Sequence, residues 1–145
     1  MTIYSPCILF SNAVQDYDFG QGHPLQGDRY TRFLPFLQAN WPTNVPLQLI
    51  NAHPASDDDL LLINTPDYIT FTSKYYCAAY RGSVQNKWET RFTTYHSRDN
   101  YPRQNPGNLE YAARTIVGQA KEGIDLLLQR NMKPIISIGG GMHHA

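Results

Sequence analysis

The last seven residues, Gly139-Gly140-Gly141-Met142-His143-His144-Ala145, place two adjacent imidazoles behind a run of three glycines. Imidazole titrates near neutral pH, so a histidine pair can take up and release protons during a reaction. Glycine lets the backbone approach a ligand closely or adopt positive φ. The same residues also read as a surface turn with no chemistry, and spacing alone leaves both readings open. A second group lies at Tyr17-Asp18-Phe19-Gly20-Gln21-Gly22-His23-Pro24, with Arg29 beyond it. Gly20 and Gly22 suggest tight turns, and Arg29 could pair with a carboxylate or line a polar cavity. On these residues alone, a well-packed turn with a structural arginine is the better reading.

Other chemistries find little support. The chain has no HExxH, HxH or Asp-x-His pattern, no GxSxG elbow and no GxxxxGK[ST] loop. The acidic triplet Asp57-Asp58-Asp59 reads as a solvated helix start rather than a cation site. Cys7 and Cys77 lack CxxC spacing, which argues against a redox pair or a thiolate metal site. Twelve basic residues balance twelve acidic ones in the 145 residues, which removes the electrostatic case for a nucleic-acid partner or an anionic membrane. The start MTIYSPCILF has no signal-peptide pattern, and no apolar run is long enough to span a bilayer. The expectation is a reduced, cytoplasmic, soluble protein without a second domain.

The elements that must position these groups follow from periodicity. Residues 6–11 are short, apolar and bounded by proline and serine, as a buried strand would be. Residues 12–28 carry no helical period and read as a loop. Tyr30, Phe33, Leu34 and Leu37 share a helical face, with Asp28 as N-cap and Pro35 splitting the helix into two pieces. Residues 47–52 read as a second strand. Ser56 and Asp59 form a capping-box pattern, and Pro66 opens a further helix through Tyr76. Residues 81–108 read as a polar loop. Leu109, Ala112, Ala113, Ile116, Val117, Ala120, Ile124, Leu127 and Leu128 form an apolar helical stripe that ends near Asn131 and Met132. Ile135-Ile136-Ser137-Ile138 is then a strand delivering the glycine run. Strands separated by helices imply an α/β protein with a largely parallel sheet, whose ligands bind beyond the carboxyl ends of the strands.

Taken in order, FGQGHP at 19–24 with Arg29 five residues on, LLLINTPDYI at 60–69, the Pro106-Gly107 helix entry and IGGGMHHA at 138–145 resemble the histone deacetylase superfamily, including the acetoin-utilization proteins. The resemblance spans nearly the whole chain. It implies an open α/β sheet of the arginase/deacetylase kind with helices on both faces, of which residues 1–145 form the N-terminal part. It implies that His143 accepts a proton from a zinc-bound water attacking an acetamide carbonyl, while His144 adds positive charge or assists proton transfer. Gly140 and Gly141 would line the tube admitting an acyl-lysine or acyl-polyamine chain, and Arg29 would stand in an internal cavity below the metal.

The departures are equally specific. Asn64 replaces a frequent histidine, and Asp99 is the nearest match to the rim aspartate, offset by an insertion. The Asp-x-His and later aspartate that hold zinc have no counterpart in residues 1–145. The resemblance therefore implies a deacetylase fragment acting, when complete, on acetyl-lysine, a polyamine or a small acylated metabolite. As this chain alone it is expected to be inactive and to bind no zinc tightly. Self-association through an uncovered sheet edge is expected as well. A non-catalytic remnant or assembly module of the same fold is the alternative, followed by a small α/β domain holding a phosphorylated ligand at the glycine run.

Overall fold

A computed structural model describes residues 6–129 and 134–140. Three parallel strands form an open sheet in the order β2-β1-β3, with β1 at Cys7–Leu9, β2 at Gln48–Ile50 and β3 at Ile135–Ser137. The central strand is fully buried, which explains why it reads as an unbroken apolar run rather than an alternating one. Cys7 is a core residue, its thiol directed at Oε1 of Gln48 at 3.1 Å. Ile8 joins a cluster with Phe10, Val14 and Tyr30, whereas Leu9 meets the helix that carries Gly123. This is the alternation a strand imposes on its side chains.

The loop expected over 12–28 is partly ordered. Ser11 caps a 3-10 turn at Asn12–Asp16, which buries Val14. Helix α1 then runs unbroken over Asp28–Asn40. Asp28 is its first residue, not its cap, and Gly27 holds the cap position. Gly27 is needed there because a Cβ would lie 1.7 Å from the Gln15 carbonyl oxygen. Pro35 does not divide the helix. The helical hydrogen bond that Pro35 cannot make is the one to the carbonyl of Thr31, an exposed residue. Tyr30, Phe33, Leu34 and Leu37 do face the core.

Helix α2, Asp57–Leu61, opens with the expected capping box: Ser56 accepts from the Asp59 N–H, and the Asp59 carboxylate accepts from Ser56. The acidic triplet is more than a solvated start. Asp59 also pairs with Lys121 at 3.2 Å, and Asp57 pairs with Arg114 at 2.7 Å. The backbone N–H of Ser56, its hydroxyl and Lys121 together draw the Asp59 carboxyl down to about 2. Helix α3, Pro66–Tyr80, starts on Thr65, whose side chain accepts from the Tyr68 N–H.

The stretch expected to be a polar loop over 81–108 contains helix α4, Asn86–Tyr95, and a 3-10 turn at Arg98–Asn100. Trp88, Phe92 and Tyr95 anchor α4 in an aromatic cluster with Phe19, Phe71, Tyr75, Tyr76 and Leu109.

Helix α5 spans Leu109–Leu128, and the expected continuation to Asn131 and Met132 lies outside the described residues. Its buried face is displaced from the apolar stripe. Leu109, Ala112, Thr115, Gly118, Gln119 and Gly123 are buried, while Val117, Ile124, Leu127 and Leu128 are exposed. Close approach explains the choice: a Cβ on Gly118 would lie 1.8 Å from the His53 carbonyl oxygen, and one on Gly123 would lie 3.1 Å from Cδ1 of Leu9. Small residues meet the sheet and its loops, and the larger apolar ones are turned away. No helix among the described residues is long and apolar enough to cross a membrane.

Candidate functional site

The carboxyl ends of the three strands converge on the middle of α5. The Phe10 N–H donates to the Ile50 carbonyl and the Ile138 N–H to that of Leu9, at 3.0 and 3.1 Å. The segment after β2 is clamped from two sides: the Ala55 N–H donates to the Arg114 carbonyl at 2.9 Å, and Nη1 of Arg114 donates to the Ala55 carbonyl at 3.2 Å. The segment after β3 is held by Gln119, whose Nε2 donates to the Ile138 carbonyl at 2.8 Å. Gln119 is fully buried, and its Oε1 has no hydrogen-bond partner among the described residues. Sequence reading missed it because it lies off the apolar stripe of α5.

Beyond Ile138 the backbone turns at Gly139 with φ +91°. A Cβ there would sit 3.2 Å from the Tyr30 ring, so glycine is favoured by conformation and the fit against Tyr30 is close. Tyr30 is buried, and the Arg29 guanidinium lies 5.0 Å from its ring centroid. Arg29 therefore reaches the glycine turn through Tyr30, as a cation over an aromatic face, with its own side exposed to solvent. Gly140 is exposed, and among the described residues nothing lies within 4 Å of a Cβ built on it. Gly141, His143 and His144 lie outside the described residues.

The Phe19–Pro24 loop is fastened from below. The Asp18 carboxylate accepts from the N–H groups of Gly20 and Gly27 at 2.7 and 3.0 Å. Gly20 has φ +92°, and a Cβ on it would lie 2.5 Å from the Gln104 carbonyl oxygen. The Leu25 N–H donates to Nδ1 of His23 at 3.0 Å, so the proton of the neutral ring is on Nε2, which donates to the Asp99 carbonyl at 2.9 Å. His23 is buried and stacked on Phe19 at 4.7 Å. Asp99 thus meets this loop through its backbone, and its side chain is left exposed. The loop's glycines and histidine serve packing, and they bind the 3-10 turn carrying Asp99 to the entry of α1 carrying Arg29.

Among the described residues no three His, Cys, Asp or Glu side chains are grouped so that they could hold a metal ion. A different polar group lines a cavity between α2, α3 and α5. There His96 Nε2 lies 3.0 Å from Oγ1 of Thr72, and Ser73 donates to Glu110, which is paired with Arg114. Burial alone pushes His96 down to about 4. The neutral ring is the folded form, so its stabilising effect is complete above the unfolded value of 6.5. That effect is lost as pH falls from 6.5 through 4, because only the unfolded chain takes up the proton in that interval. Allowing for the ring's partial exposure, His96→Gln should remove about 1–2 kcal/mol of acid sensitivity between pH 6.5 and 4. Urea unfolding across that range measures it, and an unchanged pH slope in the variant contradicts the assignment.

No protein-family model matches the chain. Among curated proteins it is similar to histone deacetylase B of Dictyostelium discoideum, with 27% identity over 139 residues, which is 96% of this chain and 31% of that protein. It is also similar to histone deacetylase 1 of Oryza sativa subsp. japonica, with 34% identity over 65 residues, which is 45% of this chain and 12% of that protein. The chain is thus distantly similar to histone deacetylases over most of its length, and it spans less than a third of the curated relatives it matches.

Proposed function

We propose that the chain is the N-terminal portion of a zinc-dependent deacetylase-like amidohydrolase with the arginase/deacetylase fold. The observation that carries the reading is the similarity over 96% of the chain. Supporting it is the convergence of Arg29, Tyr30 and Gly139 at the carboxyl edge of a parallel sheet, where α/β proteins bind ligands. Ile8 against α1 and Leu9 against α5 agree with a sheet covered on both faces.

In this reading His143 is the general base and His144 its charged neighbour, a few residues after the turn at Ile138 and Gly139 that Gln119 and Tyr30 adjoin. Gly140 and Gly141 would line the passage for the acyl chain of an acetylated lysine, a polyamine or a small acylated metabolite. Arg29, exposed to solvent in these 145 residues, would line the product cavity once the rest of the domain covers it, and Asp99 would stand at the rim. The described residues do not fit a zinc ion, and the 145-residue sequence holds no Asp-x-His pair. The chain alone lacks the electrostatic preorganisation that hydrolysis of an amide requires.

Two outcomes are expected of the 145-residue chain. Calorimetric titration with zinc should give no stoichiometric site tighter than about micromolar, because structural and catalytic zinc sites need three or four ordered donors; a tight one-to-one site contradicts this. The β2 and β3 edges, with Leu49 and Ile136 partly exposed, should promote association. Light scattering at high concentration should show dimers or larger species, and a clean monomer counts against it. The reading itself is tested on the gene product that cells make, captured by an antibody to this chain. Chelator-sensitive acetate release from acetyl-lysine peptides or acetylpolyamines, lost in His143→Ala, supports it. A captured product without that activity overturns it.

A further inference from the structure

The cavity between α2, α3 and α5 has a volume of about 230 Å³ and opens at the surface. Its walls include Phe19, Tyr68, Tyr76 and Leu109, with Ala113 and Val117 contributed by α5. Three of these walls are aromatic, and the His96 ring adds a fourth planar surface, tilted 44° to Tyr68 at 5.5 Å and edge-on to Tyr76 at 5.4 Å. Aromatic surfaces arranged at these angles favour a flat, polarisable guest.

The polar groups narrow the choice further. The Tyr76 hydroxyl donates to the Asn100 carbonyl and is occupied. Glu110 and Arg114, the acidic and basic residues of the lining, pair with each other, and Asp57, which pairs with Arg114 from outside the lining, is largely exposed, so a neutral guest suits the cavity. Asn64 donates to the Leu60 carbonyl. The Thr72 hydroxyl faces His96 and keeps capacity in either tautomer. If it donates to Nε2, its oxygen still accepts; if it accepts from Nε2–H, its own proton is free. A hydroxyl guest, which both donates and accepts, satisfies either arrangement.

We propose that this cavity is a binding site for a neutral, phenol-sized aromatic alcohol, with its ring between Phe19, Tyr68 and Tyr76 and its hydroxyl on Thr72. Among the described residues, none of the glycine turn lines the cavity, and the proposal does not depend on the deacetylase reading. The cavity shares Tyr17 and Phe19 with the loop that fastens α1, so occupancy would also brace that loop.

The test uses the 145-residue chain and p-cresol as probe, followed by NMR shifts of the His96 and aromatic resonances. Wild type should show saturable shifts at about millimolar probe, as suits a ligand of so few atoms. Ala113→Leu, which fills the α5 wall, should weaken binding at least tenfold, and Thr72→Val, which keeps the shape and removes the hydroxyl, several-fold. Val117→Phe closes the cavity from an exposed position and replaces Ala113→Leu if that variant does not fold. Toluene should bind more weakly than p-cresol to wild type and equally to Thr72→Val. Absence of saturation in wild type, or equal binding by the filled variants, overturns the proposal.

Discussion

Replacing Phe92 by alanine lowers the unfolding free energy by about 3–5 kcal/mol, the range for removing a fully buried aromatic ring. Phe92 is 1% exposed, and its ring lies 4.7 Å from Tyr75, 4.9 Å from His96 and 5.4 Å from Tyr101, centroid to centroid. It joins α4 to α3 and to the segment after the Arg98–Asn100 turn. Part of the loss is the transfer of the ring to water, and part is the cavity left among side chains that other contacts hold in place. Tyr76, for example, is fixed through its hydroxyl to Asn100. Urea unfolding of wild type and variant measures the effect. A loss below about 1 kcal/mol would mean that residues 86–95 behave as the exposed loop their polarity suggests.

Gly118→Ala should destabilise the chain by about 2–3 kcal/mol or more, the cost of forcing a methyl group into a packed contact. The sign is the informative part. In an exposed helix interior the same change stabilises by about 0.5–1 kcal/mol, because alanine restricts the unfolded chain and favours the helix. Here the added methyl would lie 1.8 Å from the His53 carbonyl oxygen and 3.1 Å from the Ala55 nitrogen. Those atoms cannot retreat easily, because Ala55 is bonded to the Arg114 backbone and to its guanidinium. The displacement would travel to the carboxyl end of β2. A thermal melt with Tm unchanged or raised contradicts the contact.

These two residues also explain what could and could not be read from the sequence. Local signals were legible. Ser56 and Asp59 close a capping box through neighbours three residues apart, and Thr65 with Pro66 starts α3 by the same kind of short-range chemistry. Strand β1 announced itself because a strand buried on both faces needs an unbroken apolar run. Helix α4 was not legible: Trp88, Phe92 and Tyr95 have helical spacing, but the ring partners that bury them, Tyr75 and Tyr76, come from another helix. Periodicity located α5 but misplaced its inner face. It weights large apolar residues, whereas the distance to the sheet selects Thr115, Gly118, Gln119 and Gly123.

The candidate site shows the same division. Gly139 and Arg29 stood out by type, yet Tyr30, the residue that relates them, reads in the sequence only as part of an apolar face. Gln119 gave no signal at all, since a lone glutamine in a helix is ordinarily a solvated side chain. The Phe19–Pro24 loop was read as a well-packed turn, and the two hydrogen bonds of His23 agree: they fix one tautomer and tie two loops together.

The most direct test of the central claim is the sequence of the native transcript beyond codon 145. If the chain is the front portion of a zinc deacetylase, the reading frame continues into an Asp-x-His pair and a later aspartate that complete the site begun by His143 and His144. A stop codon directly after Ala145 in the native transcript would contradict that claim and direct the search for function toward binding or assembly.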